Sequence, residues 1–413
     1  MNFWADSIDI VWHLWKAYSA GNLAIFTGAG VSHGCGLPLW PKLVASLYTE
    51  SARRNFPGNG VMGTFDDPTG WGGLAVSNSK IVQDLLDSLP LTIRSRYCKR
   101  KLGEQYQSAL QRVLYADPCK TTPTIAALSK LTRLKAVCTY NYDDILECSA
   151  EPGAFVPIIG LDENASTGVP VYHVHGLIPS DMANAPRSDI VFSEDEYHSM
   201  YLNFGHWSNM IQLSLLLGSE CVLFIGLSFE DPNLRRLLDA AKKARNSFRF
   251  YNICRLPFSR HQDSCRYNPM APRLTQINFL NEIYKDIGVT NLWVDEFEPD
   301  IPFVLEALAK DDPIEYFTDR WRAHLGQCAA QTIDGRPCEM VGCAEKAVNG
   351  FRSCRLHLLE DQDYAPMKKT LRDTCSHEGC ERISAGLSGR CLDHLSECTT
   401  DWTRLLHSDG KDT

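Results

Sequence analysis

Short apolar runs rich in β-branched and aromatic residues recur at 23–27 (LAIFT), 134–139, 169–174, 221–226, 248–253 and 289–294. Runs of this length and composition read as strands. Between them, apolar positions return at helical spacing. That predicts helices near 40–53, 79–116, 123–132, 142–150, 194–217, 232–245, 273–286 and 301–309. Strands that are apolar throughout, alternating with helices, predict an α/β fold on a doubly wound, mostly parallel sheet. At the amino end, Ile8, Val11, Trp12 and Trp15 repeat at helical spacing with no basic stretch ahead of them. An amphipathic helix is expected there, not a secretion signal.

The alternation breaks in two places. Residues 56–73 (FPGNGVMGTFDDPTGWGG) are crowded with glycine and proline and read as a long surface loop, either a lid or disordered. Beyond residue 311 the strand–helix pattern stops. The expected organisation is an α/β domain over 1–310, a linker over 311–327 and a small module over 328–413.

Charge and cysteine usage narrow the class. The formal net charge is −9, which gives no bulk attraction to nucleic acid or to an anionic membrane. No apolar run reaches the roughly 20 residues that span a bilayer. The 16 cysteines are scattered singly up to residue 265 and cluster with histidines beyond residue 327. That pattern fits metal binding better than disulfides, and a cytoplasmic location is expected.

The clustered cysteines form a repeat. CEMVGCAEKAVNGFRSCRLH (338–357) and CSHEGCERISAGLSGRCLDH (375–394) share one spacing, C-x4-C-x10-C-x2-H. Three thiolates and one imidazole make a closed, four-coordinate structural zinc site. One zinc is assigned to Cys338, Cys343, Cys354 and His357, and a second to Cys375, Cys380, Cys391 and His394. His377 is a spare donor beside them. Units this small cannot enclose a hydrophobic core, so the metal is expected to supply most of their folding free energy. They resemble short Cys3His zinc-binding repeats appended to varied proteins. Acidic residues outnumber basic ones from 328 onward. A structural clamp or oligomer contact is therefore expected ahead of nucleic-acid binding.

In the α/β part, four stretches stand where a strand hands over to a polar loop: TGAGVSHGCGLPLW (27–40), TYNYDDILE (139–147), VYHVHGLIP (171–179) and FIGLSFEDPNLRRLL (224–238). A glycine-rich strand-to-helix turn lets backbone N–H groups meet a phosphate. Strand ends of a doubly wound sheet converge on one crevice. Asn141, Asp143, His175, Ser228 and Asp231 would be delivered there. Each also has an ordinary structural reading: Asn141 and Asp143 as caps of the helix near 142, His175 as a core histidine, Ser228 and Asp231 as loop and N-cap residues.

Taken together and in this order, the four stretches resemble the sirtuin fold family. GLSFEDPNL is similar to the form found in sirtuin-like NAD hydrolases of prokaryotic immune systems. The resemblance covers roughly residues 20–310. It implies that NAD is the substrate, with Gly28, Ala29 and Gly30 cradling its diphosphate and Ser32 beside them. Asn141 and Asp143 would line the nicotinamide–ribose pocket, Asn141 holding a ribose hydroxyl or the attacking water. His175 would be the general base. Gly226 and Ser228 would meet the adenosine ribose, with Asp231 supporting that loop. His173 alternates with His175, is expected on the opposite sheet face and is read as structural. Trp40 is either core or a cover for the nicotinamide.

Departures from the family pattern choose among its activities. Deacylases follow the G-I-P segment with acid, Phe and Arg; here Leu39, Trp40 and Pro41 stand in those places. Deacylases also carry a four-cysteine zinc knuckle after the His-Gly pair, whereas 177–225 holds only Cys221. The expected activity is therefore hydrolysis of NAD to ADP-ribose and nicotinamide, in an antiviral effector silent until triggered. A homo-oligomer and a regulatory partner protein are expected. A deacylase or ADP-ribosyltransferase is the alternative enzyme, and a non-catalytic NAD or ADP-ribose sensor the alternative to an enzyme.

Overall fold

The computed structural model describes residues 3–55, 88–160, 167–181, 189–203, 205–244, 249–255, 270–294, 296–313 and 316. In chain order the elements are α1 (Phe3–Ser19), β1 (Leu23–Thr27), α2 (Ala29–His33), α3 (Trp40–Asn55), α4 (Leu91–Leu102), α5 (Tyr106–Leu114), α6 (Pro123–Leu128) and β2 (Ala136–Thr139). There follow α7 (Ile145–Ser149), β3 (Phe155–Ile158), β4 (Val169–His173), α8 (Glu194–Leu202), α9 (Trp207–Gly218), β5 (Cys221–Ile225) and α10 (Pro232–Ala244). The last are β6 (Phe250–Arg255), α11 (Met270–Asp286), β7 (Val289–Val294) and α12 (Phe297–Leu308). Residues 56–73 and the cysteine-rich segment from 328 onward, with both expected zinc sites, lie outside the described residues.

Among the described residues two compact units emerge, one within Gly21–Phe248 and one joining α1 to β6, α11, β7 and α12. In the first unit the strands run β3-β4-β2-β1-β5, and the neighbouring pairs are parallel. β1 and β5 (CVLFI) are buried along their whole length, as strands covered on both faces must be. Phe26 and Phe224 pair across them at 5.2 Å between ring centres. From β1 the chain builds outward through β2, then returns to place β5 on the other side of β1. Such a reversal opens a crevice beyond the carboxyl ends of β1 and its neighbours.

The helices of this unit follow local rules. In α10, Leu234, Leu237, Leu238 and Ala241 are buried at i, i+3, i+4 and i+7, the single apolar stripe of an amphipathic helix. Pro232 opens it, and Asp231 Oδ1 accepts from the amides of Asn233 (2.8 Å) and Leu234 (2.9 Å), a side-chain cap on the first turn. Ser193 and Glu196 form a capping box at the start of α8. Lys99 of α4 pairs with Asp195 and Glu196 in the same turn.

Three details differ from the sequence pattern. The helix expected over 79–116 is described from Leu91 and breaks at Gly103 into α4 and α5. The one expected over 194–217 breaks between Leu202 and Trp207. β3 has no counterpart among the expected strands. It contains Pro157, whose missing N–H removes a ladder donor, and it lies at the end of the strand order, where that loss is tolerated.

In the second unit, β6 and β7 are parallel partners from Phe250↔Val289 to Arg255↔Val294. α1 packs on β7 and α12. His13 Nδ1 lies 2.8 Å from the Tyr251 hydroxyl, and Trp15 donates to the Lys310 carbonyl at 2.8 Å. The expected amphipathic first helix forms as α1: of the residues that predict it Val11 is buried and Trp12 and Trp15 are half-buried, while Ile10 and Leu14 complete the buried face.

Candidate active site

The residues expected to bind and cleave NAD fall in the first unit, just past the carboxyl ends of β1, β2, β4 and β5. Two turns form its floor. The amide of Gly28 donates to the Ile225 carbonyl (3.0 Å), and that of Gly30 donates to the Gly226 carbonyl (3.1 Å). A Cβ on Gly28 would lie 2.6 Å from the Gly226 carbonyl oxygen, and one on Gly30 2.8 Å from Gly226 Cα. Gly226 itself has φ +68, and a Cβ there would stand 2.6 Å from the amide nitrogen of Val31. The small residues are thus demanded by the protein's own backbone: turns from adjacent strands interlock. Both glycine amides expected to face a diphosphate are bonded to protein carbonyls. Ala29, between them, opens the short helix α2 and is exposed. The Gly226 turn continues into Ser228, which is exposed and accepts from the Glu230 amide at 3.3 Å.

Ser32 links β1 to β2. It is buried, and its Oγ accepts from Asn141 Nδ2 at 2.8 Å. The same hydroxyl donates to the Asp143 carboxyl, whose pKa is pushed up to about 6, chiefly by burial and against the help of Ser32 and the Ile145 amide. Asp143 Oδ1 also accepts from that amide at 3.3 Å, so its role at the start of α7 and its bond to Ser32 coexist. The result is a directed chain, Asn141 to Ser32 to Asp143, threaded by a single hydroxyl. Next to Asp143, Asp144 fastens the loop: it accepts from the Tyr115 hydroxyl (2.9 Å) and from both the amide and hydroxyl of Ser180 (3.0 Å each).

His175 follows β4 and is only 4% exposed. Gly176, at φ +91, turns the chain directly after it. The ring sits edge-on to Tyr140 (4.8 Å between centres) and Tyr197 (5.4 Å). Its Nε2 is buried without a hydrogen bond, 3.5 Å from Asp231 Oδ2. Burial lowers the imidazole's pKa below its ordinary value, with Asp231 opposing. The ring is therefore neutral at pH 7 and able to accept a proton, beside a carboxylate that favours the charged product. Asp231 also receives the Tyr197 hydroxyl. From the sequence, Asp231 is a loop support and possible N-cap. The geometry adds an approach to His175 that spacing along the chain does not signal.

Trp40 packs with Val191, Tyr197 and Met200 and meets Phe192 edge-on at 6.3 Å. Its indole Nε1 is buried with no hydrogen-bond partner. With Tyr106, Tyr142 and Tyr197 around Phe192 and His175, it builds an aromatic wall next to the histidine. His173, expected to be structural, is fully buried, with Nε2 2.8 Å from Glu147 Oε1 and Nδ1 3.3 Å from the Asn141 carbonyl oxygen. Among the described residues no group of His, Cys, Asp and Glu side chains could hold a metal ion.

Known proteins share parts of this chain. A family profile for the SIR2-like domain matches residues 135–265, which include the Asn141, His175 and Asp231 segments. The chain is 25% identical over 229 residues to the NAD(+) hydrolase ThsA of Acinetobacter baumannii (strain 532279), covering 54% of this chain and 40% of the relative. It is 24% identical over 233 residues to the NAD(+) hydrolase ThsA of Enterococcus faecium, at the same coverages. The chain thus spans well under half the length of these curated relatives. Two solved structures align at low similarity. One is described as "Structural Basis for the Mechanism and Regulation of Sir2 Enzymes", at 14% identity and TM-score 0.32, covering 75% of this chain and 98% of that one. The other is a Sir2 homologue mutant with 2'-O-acetyl ADP ribose, at 12% and 0.28, covering 74% and 96%. Likeness at this level says nothing about activity.

Proposed function

We propose that this protein is a sirtuin-like NAD hydrolase that cleaves the nicotinamide–ribose bond and releases ADP-ribose and nicotinamide. The observation that carries the reading is that two adjacent parallel strands, β2 and β4, lead at their carboxyl ends into the Asn141–Ser32–Asp143 chain and into a buried, neutral His175 that stands 3.5 Å from Asp231. The SIR2-like match over 135–265 and the two NAD(+) hydrolase relatives support it.

In this reading the NAD diphosphate lies against the interlocked turns, near Ala29 and Ser32, with Ser228 toward the adenosine ribose. Nicotinamide is a cationic leaving group and departs neutral without an acid. Cleavage leaves an oxocarbenium-like ribose, which needs a positioned nucleophile and stabilised charge. Asn141 orients the water or a ribose hydroxyl. The C1'–N bond breaks as the C1'–O bond forms, and the nucleophile's proton passes to the His175 imidazole. Asp231 stabilises the imidazolium that results. The aromatic wall keeps bulk water out and offers π faces to the pyridinium ring.

By the family resemblance the biological role is antiviral depletion of NAD, with activity held to a measurable basal level until a trigger. The two Cys3His repeats are read as a structural zinc module that serves assembly or regulation. The test uses purified protein and NAD, following nicotinamide by chromatography, with His175→Ala and Asn141→Ala alongside. Release by the wild type that is lost in both variants is expected. Release unaffected by either substitution would refute the assignment of the site. Adding an acyl-lysine peptide separates hydrolysis from deacylation: free ADP-ribose is expected, without acylated product.

A further inference from the structure

His173 has the contacts of a working part of this site. It ends β4 in register with Thr139 of β2 and is fully buried. Both ring nitrogens face acceptors: Nδ1 the Asn141 carbonyl at 3.3 Å, Nε2 the Glu147 carboxylate at 2.8 Å. A neutral imidazole has one N–H and cannot donate to both. The charged groups acting on it are Glu147 of α7 and Asp143 of the loop before α7.

We infer that His173 is a doubly protonated positioning residue, an imidazolium pinned by Glu147 that holds the backbone carbonyl of Asn141 and so fixes the Asn141 amide against Ser32. The inference rests on the proposed function for its kinetic consequence only. Burial pulls the His173 pKa down, but Glu147, the Asn141 carbonyl and Asp143 together outweigh burial and raise it. This agrees with the contacts. Asn141 is therefore gripped twice, by its side chain from Ser32 and by its carbonyl from His173. An anchor of this kind matters because small displacements of a group that orients a nucleophile are costly, on the order of 10²-fold for about 1 Å.

The first test is independent of activity. In protein labelled with 15N-histidine, His173 is expected to show two protonated ring nitrogens at pH 7, and one in Glu147→Gln. The Asn141 side-chain NH2 signal is expected to move in His173→Gln. A neutral His173 ring in the wild type, or an unmoved Asn141 signal, overturns the inference whether or not NAD is cleaved. The second test is kinetic. His173→Phe is expected to lower kcat for nicotinamide release by about 10- to 100-fold with KM little changed, and His173→Gln to restore part of it. Adding His173→Phe to Asn141→Ala should cost little more than Asn141→Ala alone, because both act through one residue. Multiplicative losses in that pair, or wild-type kcat in a folded His173→Phe, would overturn the inference. A wild type that releases no nicotinamide counts against the proposed function alone, and the NMR result then decides for His173.

Discussion

One carboxylate of Asp231 serves two masters: Oδ1 caps the first turn of α10, while Oδ2 stands 3.5 Å from Nε2 of His175. The two duties can be separated by substitution. His175 titrates below its ordinary 6.5 because it is buried, and Asp231 holds it up. If the neutral ring is the working form, kcat/KM is level through pH 7 and falls only below 6.5. Asp231→Asn keeps the cap but removes the charge, so the acid limb of the pH–rate profile should move lower still. Asp231→Ala also removes the cap and should cost about 1 kcal/mol in urea unfolding.

Asp143 is expected to trade stability for function. Its pKa in the folded protein, about 6, is above the ordinary 3.8. Relative to the unfolded chain, the folded state favours the protonated carboxyl. That benefit is complete below pH 3.8 and lost as pH rises through 6. At pH 8, Asp143→Asn should therefore be more stable than wild type by on the order of 1–3 kcal/mol. The difference should shrink towards pH 4. Paired urea titrations at the two pH values read this directly, and nicotinamide release should fall in the same variant.

Gly226→Ala tests the interlocked turns. The new Cβ would meet the Val31 amide at 2.6 Å in a backbone with φ +68. Neither strain has a flexible side chain to absorb it. A loss above about 1 kcal/mol is expected, seen as a lower Tm even without NAD. An unchanged Tm would mean that the turns adapt.

The repeats at 338–357 and 375–394 predict two zinc ions per chain, measurable by elemental analysis. Cys354→Ser should reduce the count to one, and Cys354→Ser with Cys391→Ser to none. Four protein ligands leave no open position for chemistry, so basal nicotinamide release should survive the loss of metal.

Much of the scaffold is legible in the chain because its strands are apolar on both faces. LAIFT and CVLFI announce β1 and β5 without any tertiary information. β3 is hidden by Pro157, which argues against a strand until the strand is known to be an edge. Asn141, Asp143 and His175 stand out because strand ends deliver them to one crevice. The glycines stand out too, but sequence alone points to a ligand, whereas the structure finds a neighbouring turn. The roles of Asp231 and His173 depend on contacts between distant segments. The alternation rule for strands even argues His173 away from the site, since it speaks of sheet faces and not of what lies beneath the loop carrying Asn141.

Pro157 has a consequence for assembly. An edge strand is an open template on which another chain can add a strand, the route to aggregation and to sheet-extended oligomers. Among the described residues β3 is such an edge, and there the template is short and lacks one donor, with the proline itself exposed. A second copy joining here through its backbone would find the ladder interrupted halfway. Self-association of this protein by sheet continuation at that edge is therefore discouraged, and specificity in any assembly falls to side chains.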